Sequence, residues 1–417
     1  MTTPGFHGWK VVAAAFAALF VVYSIQFSFG TFVDDVVADT GWSETRLQLI
    51  FAIYVFTYSA LSAVTGAFTD RYGPRRVVAT GAVLLTAGYV IWGSAPSLWV
   101  AFLGLGVVAP LGMSASWVPC NATVVRWFVA RRGTALAVAT SGTSMANILA
   151  PPVAASLVQA YGWRTALTSF ALTGGVIMLA SSWWFRRDPE SMGQHPDGLS
   201  QPPPQDVAGP GLEAGQAMRT ATYWLILGMY ALSFVVVFVP FVHSNQFAID
   251  MGVSPVTAAT VISSIGVGGL AGRLFVGPLS DRFGRKRLVA MAFALEAVAF
   301  IGIGISQGLT LLYPSAVVFG FSYGATVTLL PALVGDYFGR AHAGAIVGRI
   351  FGTAGALAAV GPYVAQLLVD SSGSYRFAFA LSGIANAAAF LMATRLPQKR
   401  VAALRGQIVR DSSASIL

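Results

Sequence analysis

The 417 residues are 56% hydrophobic and 10% charged, with a mean hydropathy of +0.70. Soluble domains carry about 25% charged residues, so this composition excludes a water-soluble globular chain and points to one that crosses a membrane many times. The formal charge of +9 does not mark a nucleic-acid surface, because the basic residues fall in short clusters between apolar runs. A single cysteine, Cys120, excludes an internal disulfide and any thiolate metal site. The four histidines have no metal-ligand spacing, and neither a metal nor a cofactor is expected.

In chain order, apolar runs of about 20 residues between turn or charge punctuation predict twelve spanning helices. They cover 9–32, 47–69, 77–94, 97–125, 133–159, 164–185, 221–247, 255–279, 288–306, 309–335, 343–369 and 374–396. The first run is long enough to span and reads as a retained helix, not a cleaved signal. The sixth and seventh runs are separated by RRDPESMGQHPDGLSQPPPQDVAGPGLEAGQAMR, rich in Pro, Gly and Gln, which reads as a flexible linker. The expected organisation is a six-helix bundle over 1–187, a linker over 188–218, a second six-helix bundle over 219–397 and a tail over 398–417.

An even span count puts both termini on one side. That side collects Lys10, the 71–76, 131–132 and 282–287 clusters, Arg186, Arg187, Arg219, Arg340 and the tail. Only Arg46, Arg164 and Arg376 fall opposite, and Arg273 lies within a span. The positive-inside rule then makes both termini cytoplasmic. The two halves also repeat. DRYGPRR at 70–76 returns as DRFGRKR 211 residues later, WFVARRGTALAV at 127–138 returns as YFGRAHAGAIVG 210 residues later, and Arg164 in YGWRTAL returns as Arg376. Two parallel bundles related by an axis along the membrane normal form a transporter architecture, with its site near midplane between them.

GAFTDRYGPRR (66–76) and GPLSDRFGRKR (277–287) resemble the paired loop signature of the major facilitator superfamily. The resemblance implies that Asp70, Arg71 and Arg75, with Asp281, Arg282 and Arg285, clasp neighbouring helix ends at a cytoplasmic gate; the alternative is a topology signal without gating. Within that superfamily GWKVV (8–12), RWFVARRGTALAVATSGTSMANILAPP (126–152) and the stretch from Val242 to Arg287 resemble the monocarboxylate transporters and the related bacterial oxalate/formate exchangers.

Arg273, in SIGVGGLAGRLFVG (264–277), is an ionisable residue inside a span and hence a functional candidate. At 100° per residue, Gly266, Gly269 and Gly277 lie within about 40° of it. A glycine face is where a neighbouring helix or a cavity comes close, so the guanidinium is expected to point into the bundle and to bind a carboxylate as a planar fork. The alternative is snorkelling toward the interface. The family resemblance places the substrate-carboxylate arginine at the same point. It also departs in two places: Gly269 and Phe27 stand where proton-coupled animal members carry Asp and Lys. Two other groups could carry a proton. Glu296 in MAFALEAVAFIGIG is either a proton site or a structural protonated carboxyl, and His243 in VPFVHSNQFAID is either a titrating site or a hydrogen-bonded interfacial histidine.

Further cavity candidates are Tyr23, Gln26 and Phe27 in helix one, Trp117 and Asn121 in helix four, Ser144 and Asn147 in helix five, and Phe319 and Tyr323 in helix ten. Helix packing is the alternative for each. The expected activity is secondary transport of a small monocarboxylate such as lactate or pyruvate with protons, by a monomer in the inner cell membrane. The rival expectation is an oxalate/formate-type exchanger; the lone mid-span cation favours one carboxylate over two. No enzyme motif appears: no P-loop, no HExxH, no nucleophile elbow.

Overall fold

The computed structural model describes residues 5–202 and 211–398; the rest of the linker and nearly all of the tail expected from the sequence lie outside the described residues. The twelve long helices are α1 (Gly8–Thr40), α2 (Glu44–Tyr72), α3 (Pro74–Gly93), α4 (Leu98–Trp127), α5 (Arg132–Tyr161), α6 (Trp163–Ser182), α7 (Ala221–Asp250), α8 (Pro255–Phe283), α9 (Arg285–Ile305), α10 (Leu309–Phe338), α11 (Ala343–Ser372) and α12 (Tyr375–Thr394). Eleven are apolar enough to cross a membrane by composition. The exception is α5, whose 30 residues are rich in Ser, Thr and Gly and include Pro151 and Pro152. It packs against α1 and α8, so neighbouring helices supply the shelter that its own side chains do not.

The repeat read from the sequence reappears in the helix breaks. α1 is interrupted at Ser28 and α7 at Phe238, the same point of each half. Ser28 Oγ bonds back to the Ser24 carbonyl at 2.8 Å, a contact that bends helices, while Pro240 removes a backbone donor from α7. The glycines of the two DRYG/DRFG motifs have a geometric reason as well. Gly73 and Gly284 sit at φ 85° and 91°, conformations that a side chain would strain.

The halves meet along two crossings, α2 against α11 and α5 against α8. A methyl group on Gly66 would stand 2.1 Å from the Gly344 carbonyl oxygen, and one on Gly277 would stand 2.6 Å from that of Gly133. Gly66 and Gly277 occupy the same place in the two repeats. Backbone-to-backbone approach at this range needs small residues on both sides, the packing rule of membrane helices. Both crossings lie toward the ends of the helices that carry the basic clusters, called the basic face below.

Candidate anion site and its closure

α8 turns its glycine face toward α5 of the other half. A methyl on Gly269 would lie 3.7 Å from Ser144 Oγ, and one on Gly266 would lie 3.4 Å from Asn147 Nδ2. Arg273 shares that face and is 4% exposed. Its Nη1 donates to Ser144 Oγ across the interface, its Nε has no partner, and its guanidinium carbon lies 5.8 Å from the ring centre of Tyr323. Among the described residues no carboxylate pairs with it. The side chain does not snorkel: it ends between the halves, about 15 Å along α8 from Phe283. An uncompensated guanidinium there can accept a carboxylate as its counter-charge.

Around it stand phenols. Tyr23 and Tyr323 are within electrostatic reach of the guanidinium, and Tyr58 is within reach of both. Tyr23 packs on Phe27 with ring centres 5.5 Å apart, and Tyr323 packs on Phe319 and Phe241. Tyr23, Phe27, Tyr323 and Asn147 are half-buried, whereas Gln26 is buried beside Tyr58 with its Oε1 unpartnered. These residues gather aromatic rings around one cation, the usual chemistry of a small-ligand site. Tyr58 is absent from the sequence-based candidates; its only signal was its place in the Tyr54–Tyr58 spacing of α2.

Three candidates fall elsewhere. Trp117 stacks on Phe351 of the other half, with ring centres 4.1 Å apart and planes at 18°, and both rings are buried. The pair packs the interface between the halves. Asn121 is a turn nearer the basic face, fully buried, its amide donating to the Trp117 carbonyl at 2.7 Å. His243 Nε2 lies 3.1 Å from the Pro362 carbonyl and its ring is 5.5 Å from that of Tyr375. Its contacts are with α11 and α12.

Glu296 faces inward, fully buried. Ser233 Oγ of α7 donates to its Oε1 at 3.3 Å, and Oε2 has no partner. Its neighbours on the same α9 face, Phe293 and Phe300, reach Tyr230 and Phe319, with ring centres 5.5 and 5.2 Å apart.

At the basic face each half caps a helix of the other. Asp70, at the end of α2, accepts from Gly344 N at 3.1 Å and Ala345 N at 2.7 Å, in the first turn of α11. Asp281, at the end of α8, accepts from Gly133 N, Thr134 N and Thr134 Oγ1, each at 2.8 Å, in the first turn of α5. Neither α5 nor α11 has a capping side chain of its own; their N-cap residues are Arg131 and His342. A carboxylate satisfies the free N–H groups and meets the positive end of the helix dipole, so each cap holds the halves together.

The arginines that complete the clasp are not all those expected. Arg285 pairs with Asp281 at 2.7 Å and with Asp336 at 2.5 Å, and it donates to the Val129 carbonyl of the other half. Arg71, Arg75 and Arg282 instead lie over the rings of Tyr72, Trp183 and Phe283 at the surface. Their place is taken by Arg126, which donates to Asp70 at 2.6 Å and to the Ala341 carbonyl, and by Arg132, which pairs with Asp336 at 2.5 Å across the interface.

Residues 15–275 and 224–412 each match the Major Facilitator Superfamily. The chain is 30% identical over 397 residues to monocarboxylate transporter 11 of Homo sapiens, covering 91% of this chain and 80% of that protein. It is 27% identical to monocarboxylate transporter 13 of Bos taurus, covering 93% and 88%. Among solved structures, the proton:xylose symporter XylE superposes with a TM-score of 0.73 at 15% identity, covering 95% of this chain and 97% of the other. FucP in its outward conformation gives 0.70 at 15%, covering 92% and 98%. At these identities the structures speak to the fold alone.

Proposed function

The chain belongs to the Major Facilitator Superfamily and, within it, to the monocarboxylate transporter family, and from that premise we propose that it carries a small monocarboxylate, lactate- or pyruvate-like, across the membrane by alternating access with a proton. The observation that carries this reading is Arg273: buried between the halves, bonded to Ser144 of the opposite half and, among the described residues, matched by no carboxylate. A guanidinium that ties both halves through one ligand can report occupancy to the rocking motion, because the anion replaces contacts that neither half makes alone.

The distribution of basic residues supports placing the basic face and both termini in the cytoplasm; the proposed setting is the inner membrane of the cell, with the monomer as the working unit. The caps of Asp70 and Asp281 then make this an arrangement closed to the cytoplasm, with Asp70, Asp281 and Arg285 as gate residues. For the proton, the surroundings favour Glu296 over His243. The histidine is committed to a backbone carbonyl. Glu296 keeps one oxygen uncommitted and lies within electrostatic reach of Tyr323, whose ring lies under the guanidinium.

The exchanger of the oxalate/formate kind is the second reading, and Gly269 favours it. This position faces Ser144 beside Arg273, where an acidic side chain would complete a proton-coupling pair, and it has none. Uptake of labelled lactate into proteoliposomes separates the two. Accumulation that follows an inward proton gradient supports symport. Counterflow indifferent to the gradient supports exchange. No flux with lactate, pyruvate, formate or oxalate overturns both.

A further inference from the structure

The linker read from composition as flexible is, over its first dozen residues, fastened to both halves. Trp127 Nε1 donates to the Arg186 carbonyl at 3.0 Å. Gln194 accepts from His7 N at 3.1 Å and donates to the Gly5 carbonyl at 3.0 Å. Asp197 then turns its carboxylate onto the loop between α4 and α5: Oδ2 accepts from Val129 N and Ala130 N, both at 2.8 Å, and Oδ1 from Arg131 N at 3.0 Å. Asp197 is 6% exposed and, among the described residues, is the one non-glycine with positive φ, at 59°. A residue held in that region persists only where its surroundings require it.

The other contact crosses the molecule. Glu190, in a turn capped by Asp188, forms a two-pronged ion pair with Arg340 in the loop between α10 and α11 of the opposite half. Arg340 also donates to the Arg126 carbonyl at 3.0 Å. The loops holding residues 129–131 and Arg340 are the same loop in the two repeats. If the basic face opens, they must part. Asp197 and its three donors ride together on the first half, so those bonds survive the motion, whereas the Glu190–Arg340 pair breaks.

We propose that residues 188–199 form a strap across the basic face, in which Glu190 is the catch and Asp197 the anchor that presents it. The two are positioning residues that set the balance between closed and open forms. An isolated surface pair contributes little because its long side chains must be ordered. Here the anchored turn has already ordered Glu190, which lowers the entropic cost of the contact. The inference goes beyond the transport reading and needs from it only that the halves rock.

The test uses full-length protein in nanodiscs with nitroxide labels at Arg76→Cys and Arg287→Cys, exposed positions on the basic face of opposite halves. Cys120 is buried. The expected result is a short distance in the parent protein, with the open-to-closed ratio raised about fivefold in Glu190→Gln and in Asp197→Ala. The double variant should go no further than either single, because the anchor acts through the catch. Asp197→Asn, which keeps an accepting oxygen and tolerates the backbone, should fall between. Distance distributions in Glu190→Gln that match the parent overturn the proposal, and so does an additive double variant. Glu190 is exposed, so its variant decides the matter even if Asp197→Ala fails to fold. The distances need no substrate, so the strap can stand or fall independently of the identity of the cargo.

Discussion

Arg126 and Asp336 stand at the same point of the two halves, each one residue before an aromatic–Phe pair, and carry opposite charges. Arg126 answers Asp70 in its own half and reaches the Ala341 carbonyl in the other. Asp336 answers Arg285 in its own half and takes Arg132 from the other. The repeat has thus kept the geometry of the clasp while exchanging the sign at this position. The compensating change is at the DRYGPRR motif, where Pro74 in one copy is Arg285 in the other.

Asp336→Asn leaves Arg132, fully buried, and Arg285 short of a shared counter-charge. Breaking a buried network by removing one partner costs about 3–5 kcal/mol. The expected outcome is a lower thermal midpoint in detergent together with an open basic face. The parent's midpoint in this variant would show that the network carries no stability.

Asp70→Asn and Asp281→Asn each remove the charge from a cap that the other half cannot replace. Taking a charge from the positive end of a buried helix dipole costs about 1 kcal/mol, and up to 2, which is a five- to thirtyfold change in the closed-to-open ratio. Ser62→Cys, within the α2–α11 crossing beside Gly348, gives the readout. Its modification by a membrane-impermeant thiol reagent from the basic side should be about tenfold faster with Asp70→Asn. Equal rates would remove Asp70 from the gate.

Gly66→Ala and Gly277→Ala test the crossings themselves. The added methyl would meet backbone oxygen at 2.1 and 2.6 Å, and backbone cannot step aside as a flexible side chain can. Both variants should label rapidly from the basic side and transport poorly. Normal transport by both would mean that the crossings are looser than this geometry.

Glu296→Gln keeps the shape and the Ser233 contact but cannot exchange a proton. It should abolish gradient-driven accumulation and leave lactate counterflow within about twofold of the parent, measured in the same proteoliposomes. Full accumulation by the variant would make Glu296 a structural carboxyl.

Much of this could be read before the structure. Twelve spans, the repeat and the inward face of Arg273 follow from periodicity, because Gly266, Gly269 and Gly277 mark one side of one helix. What periodicity lacks is depth and the identity of the neighbour. Trp117 and Asn121 do share a face of α4, but there Trp117 stacks on Phe351 and Asn121 bonds back to its own helix. His243 has a polar ring on a half-helix whose direction depends on the break at Phe238, and it turns toward Pro362. Arg71, Arg75 and Arg282 carry the motif's charge without its contacts, since Arg126 reaches Asp70, and Arg132 reaches Asp336, from helix ends at the interface. The linker misled through composition: Pro and Gly describe how freely a chain can bend, whereas Glu190 and Asp197 fasten it through single side chains.

If Arg273 supplies the counter-charge for the cargo, uptake of labelled lactate by Arg273→Gln reads it, scored against protein that is inserted and monodisperse. Losing a charge-assisted, two-pronged contact worth about 3 kcal/mol should reduce uptake at least about a hundredfold, with Arg273→Lys recovering only part. Uptake at the parent's rate by Arg273→Gln would mean that the cargo finds its counter-charge elsewhere.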